Sequence, residues 1–179
     1  MERILVLGPC GAGKSTLAAR LGEMLGLPVV HLDKEYWRAG WREPDPAEWH
    51  SRVEQLIARP RWVMDGNYGS TLARRLERAQ MAVNLDYPRR VFFPRLLWRS
   101  LSRLGTTRPD MAAGCPERLD PEFLRYAWRY RKDVLPRREA RIARSGLPVI
   151  DLKTPRETAD WLAAGAPLDI ARPRRPVTA

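Results

Sequence analysis

Cysteine is almost absent from this 179-residue chain, which has only Cys10 and Cys115. Two thiols so far apart give neither a disulfide framework nor a zinc ligand set, which excludes a disulfide-stapled secreted scaffold and a zinc finger. No apolar run approaches the ~20 residues of a membrane span. The N-terminus enters an apolar strand pattern at once, so no signal peptide is expected and the cytoplasm is the expected location. Lysine is scarce too, confined to Lys14, Lys34, Lys132 and Lys153. The net charge of +11 is therefore an arginine charge. It fits a nucleic-acid surface, an active site that clamps phosphates, or simply solvated faces, and charge alone does not choose. There is no internal repeat. The length suits one domain with a substantial core, expected over residues 1–165, followed by a Pro- and Arg-rich flexible tail over 166–179.

What the sequence does contain is a phosphate loop. Gly8-Pro9-Cys10-Gly11-Ala12-Gly13-Lys14-Ser15 reads G-x-x-x-x-G-K-[ST] and runs into Thr16. Arg3 to Leu7 is a short apolar run suited to a buried parallel strand. Leu17, Leu21, Met24 and Leu25 follow at helical spacing. Strand, glycine-rich loop and helix surround a polyphosphate with backbone N–H groups and a helix N-terminus. In such a loop Lys14 reaches the β- and γ-phosphates, and the Ser15 hydroxyl ligates Mg²⁺.

Strands and helices then alternate, which predicts a parallel α/β sheet of five strands. Val29 to Leu32 reads as the second strand and ends at Asp33, a candidate to orient an acceptor hydroxyl or to contact Mg²⁺. His31 sits within that strand and reads as a packed core histidine. In the acceptor-side segment 33–60, Tyr36, Trp37 and Trp41 interleave with Arg38 and Arg42. Rings beside guanidiniums suit stacking on a base or, equally, a small hydrophobic lid. Asp45-Pro46 starts a helix with Trp49, Val53, Leu56 and Ile57 on its apolar face. A third strand closes in Asp65-Gly66, the place of a second Mg²⁺ carboxylate, with Asn67 and Tyr68 on the same rim. Residues 70–78 read as helix and 81–86 as the fourth strand. Pro88 opens a basic helix in which Arg95, Arg99 and Arg103 share a face, and Pro94 should kink it or delay its start. Residues 105–121, with little periodicity, read as a lid over the nucleotide. A helix over Phe123 to Leu135, a fifth strand over 147–152 and a last helix from Thr154-Pro155 complete the pattern.

The arrangement resembles the adenylate-kinase-like P-loop kinases. The shared features are Gly8 to Thr16, the strand ending Asp65-Gly66, and Asp86-Tyr87-Pro88 followed by Arg95 and Arg99. The resemblance implies a three-layer P-loop NTPase fold with Mg-ATP as cofactor, Arg95 on the adenine and Arg99 on the transferring phosphoryl group. Arg118 and Arg129 are the positional counterparts of two further arginines. A closer similarity runs through His31-Leu32-Asp33, Tyr36-Trp37, Gly40-Trp41, Asp65-Gly66-Asn67-Tyr68 and Thr107 to Glu117, which look like the bacterial DNA topology modulation proteins. The chain departs from adenylate kinases after Asp65-Gly66: their Phe-Pro-Arg, whose arginine grips the AMP phosphate, is replaced by Asn67-Tyr68-Gly69.

Two functions follow as expectations. One is an ATP-dependent phosphotransferase. In it Lys14, Asp33, Arg99, Arg118 and Arg129 act on the reaction, Ser15 and Asp65 hold Mg²⁺, and Asp33, Tyr36, Trp37, Arg38, Trp41, Asn67 and Tyr68 surround a small acceptor. The other is an ATP-binding regulator that contacts DNA, suggested by the charge and the tail but supported by no helix-turn-helix or zinc-finger spacing. A GTPase is disfavoured because Asn-Lys-x-Asp is absent.

Overall fold

The computed structural model describes residues 1–173. Its centre is a sheet built from β1 (Arg3–Leu7), β2 (Val29–His31), β3 (Trp62–Asp65), β4 (Met81–Leu85), β5 (Pro148–Leu152) and β6 (Arg172–Pro173). The order is β2-β3-β1-β4-β5-β6, with every pair parallel except β5–β6. Five parallel strands were expected; the sixth is a short antiparallel edge. It forms because the chain after the last helix folds back onto the body. Ala166 is buried, and the Trp161 indole donates to the Pro167 carbonyl at 3.1 Å. Leu168 and Ala171 pack on the core. The expected flexible tail is therefore anchored to the core at Ala166, Leu168 and Ala171, and its remainder beyond residue 173 lies outside the described residues.

The helices are α1 (Lys14–Leu25), α2 (Leu32–Tyr36), α3 (Pro46–Ile57), α4 (Leu72–Arg78), α5 (Arg89–Ser102), α6 (Pro121–Asp133), α7 (Leu135–Ser145) and α8 (Pro155–Ala163). Their starts follow local chemistry. Asp45, Asp120 and Thr154 each accept backbone N–H bonds from the first turn, and each is followed by proline. Two elements depart from the sequence pattern. β2 stops at His31, so Asp33 stands in the first turn of α2 instead of ending a strand. The arginine-rich run 135–145, beyond the helix expected to end at Leu135, is a further helix. Its inward face carries Ile142, Ala143 and the buried Arg138. Pro94 lies inside α5 without delaying its start at Arg89.

Alternation along β1 divides the core. Ile4 and Val6 pack with Leu17, Leu21, Phe92 and Trp161 on one face. Leu5 and Leu7 pack with Trp49, Leu56, Leu72 and Ile142 on the other. Each such side chain contributes roughly 1.5–3 kcal/mol on burial. The two layers fix the carboxyl ends of β1 and β3 side by side, with Val6 opposite Asp65. No helix among the described residues is long and apolar enough to cross a membrane.

Candidate functional site

The phosphate loop leaves β1 and enters α1 at Lys14, with Gly13 as the N-cap at φ 94°. No side chain caps this helix, so its first N–H groups are available to an anion. Gly11 has φ 83°, and a Cβ there would collide with the Phe92 carbonyl oxygen of α5. The loop is thus packed against α5 as well as β1. Lys14 Nζ donates to the Pro9 carbonyl at 3.1 Å, lying across the loop. The Ser15 hydroxyl donates to Asp110 of the covering loop. Burial works against the ionised Asp110, but Arg108 and this hydrogen bond outweigh it and hold the carboxyl below its ordinary range.

A cavity of about 1160 Å³ extends from Lys14 and Ser15 to Asp33, Tyr36 and Asp65. Asp65 is buried, and its Oδ1 lies 3.0 Å from His31 Nδ1. The hydrogen bond that His31 donates to Asp65 raises the His31 pKa, opposed by burial and aided by the Asp65 charge. His31 is therefore not a packed core histidine as its strand position suggests; it lines the cavity and partners Asp65. Asp33 accepts a hydrogen bond from the Tyr68 hydroxyl at 2.7 Å. Burial and the Asp33 charge push the Tyr68 pKa up, which keeps the phenol a donor.

Tyr68 has φ 26°, a strained value for a side chain with a Cβ. Arg75, fully buried, holds that segment in place by donating to the carbonyls of Gly66 at 2.9 Å, Asn67, and Tyr68 at 2.9 Å. Burial pulls the Arg75 pKa down to about 9, so it remains ionised at neutral pH. Asn67 reaches the phosphate loop: its amide donates to the Gly8 carbonyl at 2.8 Å and accepts from the Gly8 N–H at 3.4 Å. It ties the third strand's rim to the loop, a different placement from the acceptor-side one expected.

The aromatic segment packs largely on itself. Ring centroids lie 4.7 Å apart for Tyr36 and Tyr68 and 5.3 Å apart for Trp37 and Trp41. Trp37 and Trp41 close over Met111, Ala112 and Cys115 of the covering loop. Three polar contacts join the same two segments. The Gly40 N–H donates to Gly114 at 2.8 Å, the Trp41 indole to Pro116 at 2.9 Å, and the Cys115 thiol to Arg38 at 3.1 Å. The rings form a small hydrophobic cover, and Tyr36, Trp37 and Trp41 also border the cavity. Arg38 does not line it; its side chain pairs with Glu48.

Arg95, Arg99 and Arg103 all line the cavity, as their shared face predicts. Arg118 lines it as well, paired with Asp120 at 2.9 Å and lying over Trp41 at 5.4 Å. Arg129 does not: it lines a second cleft and pairs with Asp133, a residue of the cavity lining, at 2.6 Å. The lining contains residues that the sequence reading passed over, among them Arg108, Asp110, Glu117, Arg137, Arg138 and Arg141. Arg138 is buried and bonds Asn84 at 2.7 Å, the Tyr130 hydroxyl and Glu139. Only the recognition of α7 as a helix could have flagged these three α7 arginines.

No protein-family model matches the chain. A 30-residue segment is 57% identical to the adenylate kinase of Kocuria rhizophila, a match that spans 17% of this chain and 16% of that kinase. Whole-chain likeness appears in solved structures. Shikimate kinase from Bacteroides thetaiotaomicron superposes with TM-score 0.55 at 16% identity over 91% of this chain and 95% of its own. Shikimate kinase from Acinetobacter baumannii, in complex with shikimate, gives 0.55 at 17% over 94% and 96%. The fold is that of a P-loop kinase. A gluconokinase from Sinorhizobium meliloti shares this P-loop kinase fold at TM-score 0.50 and 19% identity, over 92% of this chain and 93% of its own. At such identities the likeness is one of architecture.

Proposed function

We propose that this protein is an ATP-dependent phosphotransferase acting on a small acceptor that carries a hydroxyl or phosphate group. The observation that carries the reading is one cavity with a complete phosphate loop at one end and Asp33 with its Tyr68 partner at the other, roofed by a loop. Phosphoryl transfer is mostly positioning plus electrostatic stabilisation. Lys14 and the α1 N-terminus hold the donor phosphates, Arg95 and Arg99 flank them, and Arg118 approaches from the roof. Asp33 orients the acceptor hydroxyl and takes its proton.

No group of three or more His, Cys, Asp or Glu among the described residues could hold a metal ion unaided. Mg²⁺ fits this sparse set, because it takes one or two protein oxygens and completes its shell with phosphates and water. Ser15 and Asp65 are the residues that would hold it. When bound it neutralises charge on the phosphate oxygens.

The test is ADP formation by purified protein with Mg-ATP against a panel of nucleoside monophosphates, nucleosides, polyols and hydroxy acids, shikimate and gluconate included. One acceptor should stand out, and Lys14→Ala should abolish the turnover. Turnover at the parent rate in Lys14→Ala would refute the assignment.

A second reading, an ATP-binding regulator of DNA like the topology modulation proteins, has one observation of its own. Arg89, Arg125, Trp128 and Lys132 line a separate basic cleft of about 570 Å³, with Arg89 stacked 3.9 Å from the Trp128 ring. This reading expects salt-sensitive DNA binding that Arg125→Glu and Lys132→Glu remove without changing ATP turnover.

A further inference from the structure

Glu117 lies in the covering loop, yet it is only 6% exposed. Its backbone is fixed at the foot of that loop, with its N–H on Thr106 and its carbonyl on Gly105, both at 2.9 Å. Its Oε2 accepts from Ser100 of α5 at 3.2 Å. Two arginines from different segments converge on its Oε1: Arg108 Nε of the loop at 2.6 Å and Arg99 Nε of α5 at 3.4 Å. Neither approach is an aligned hydrogen bond, so charge holds the trio together.

Both arginines use the Nε edge, which leaves the terminal nitrogens for other work. Those of Arg99 have no hydrogen-bond or ion-pair partner among the described residues. Arg108 Nη1 meets Asp110 at 2.6 Å, and Asp110 in turn takes the Ser15 hydroxyl. A carboxylate thus already bridges this arginine and the phosphate-loop serine, at the phosphate end of the cavity. Burial and the neighbouring Arg108 both pull the Arg99 pKa down, and Glu117 opposes them. Two guanidiniums set side by side in a half-buried wall repel each other unless a negative group stands between them.

We propose that Glu117 is the positioning residue that sets Arg99 and Arg108 as a pair facing the terminal phosphate of a bound nucleoside triphosphate. The proposal rests on the phosphotransferase reading and adds Arg108 to its donor side. It also means that closing the loop assembles the pair, because one arginine rides on the loop and the other on α5.

Calorimetric titration of the full chain with Mg-ATP and with Mg-ADP tests this without an acceptor. The wild type should prefer Mg-ATP. Glu117→Gln keeps the shape and removes the charge, and should weaken Mg-ATP roughly tenfold while leaving Mg-ADP nearly unchanged. Ser100→Ala should move the ratio the same way by less, and it reads the same property if Glu117→Gln folds poorly. In an Arg108→Ala background Glu117→Gln should add little. Equal losses for both nucleotides, or no loss, would overturn the proposal, as would a wild type indifferent to the third phosphate. A wild type that binds neither nucleotide overturns the phosphotransferase reading with it, whereas an unchanged ratio in both variants overturns this inference alone.

Discussion

The Tyr68 hydroxyl stands 2.7 Å from Asp33 Oδ1, and it is delivered there by a backbone at φ 26°. A phenol on a strained hinge is a costly way to hold a carboxylate unless its orientation matters. Under the proposed function, Tyr68→Phe leaves Mg-ATP affinity unchanged and lowers turnover roughly tenfold, while Asp33→Asn lowers it by about 10²–10⁴. Steady-state rates of ADP formation beside calorimetric titrations separate these effects. Loss of Mg-ATP affinity in Tyr68→Phe would assign Tyr68 to the donor side instead.

Arg75 holds the hinge by three carbonyls and has no carboxylate partner among the described residues. Arg75→Met would leave those buried oxygens unsatisfied and should destabilise the fold by about 3 kcal/mol. Arg75→Lys keeps the charge but loses the planar fork, so it should fall between the two. Urea unfolding at neutral pH measures both, and an unchanged midpoint in Arg75→Met would contradict the role given to the three bonds.

Asp120 caps α6, accepting from the N–H groups of Glu122 at 2.9 Å and Phe123 at 3.1 Å. The bond from Phe123 is the main reason its carboxyl sits below the ordinary 3.8. A folded pKa below the unfolded one means stability that is present above about pH 4 and lost as pH falls through the folded value. Asp120→Ala should therefore cost about 1 kcal/mol at pH 7, with the difference from wild type shrinking in acid. Asp120→Asn retains the acceptor and should lose less at neutral pH. Denaturation curves at pH 7 and pH 3 decide it; a cost for Asp120→Ala that is constant across that range would show that the charge is irrelevant.

The Trp41 indole and Gly40 N–H fasten the covering loop at Pro116 and Gly114. Trp41→Ala should expose residues 105–120 and raise their rate of limited proteolysis roughly tenfold, following the population of the open form. Mg-ATP should restore protection in part. Cleavage at the parent rate would mean that the loop is held from elsewhere.

The parts of this molecule that were readable in the sequence are those whose partners lie nearby in the chain. The phosphate loop, the three capped helices and the shared face of Arg95, Arg99 and Arg103 are all short-range patterns. Arg75 and Arg138 escaped notice because a charged residue gives no sign in sequence that it is buried: Arg75 turns onto the carbonyls of residues 66–68, and Arg138 onto Tyr130 and the distant Asn84. His31 fitted a core strand by pattern, and only the parallel register of β2 with β3 puts it opposite Asp65. Arg129 stands outside the cavity lining for a related reason. Position along the chain suggested it, but the turn of α6 sends it toward Asp133.

The covering loop touches Ser15 through Asp110 at one end of the cavity and the 37–42 segment at the other. Under the proposed function, donor and acceptor therefore lie beneath one cover. A single movement admits either ligand, and the same movement reversed encloses both. Such an enzyme has no means of releasing its first product before its second substrate arrives without exposing the whole chamber to water. Its initial-rate plots, taken with both substrates varied, should show lines that intersect rather than run parallel.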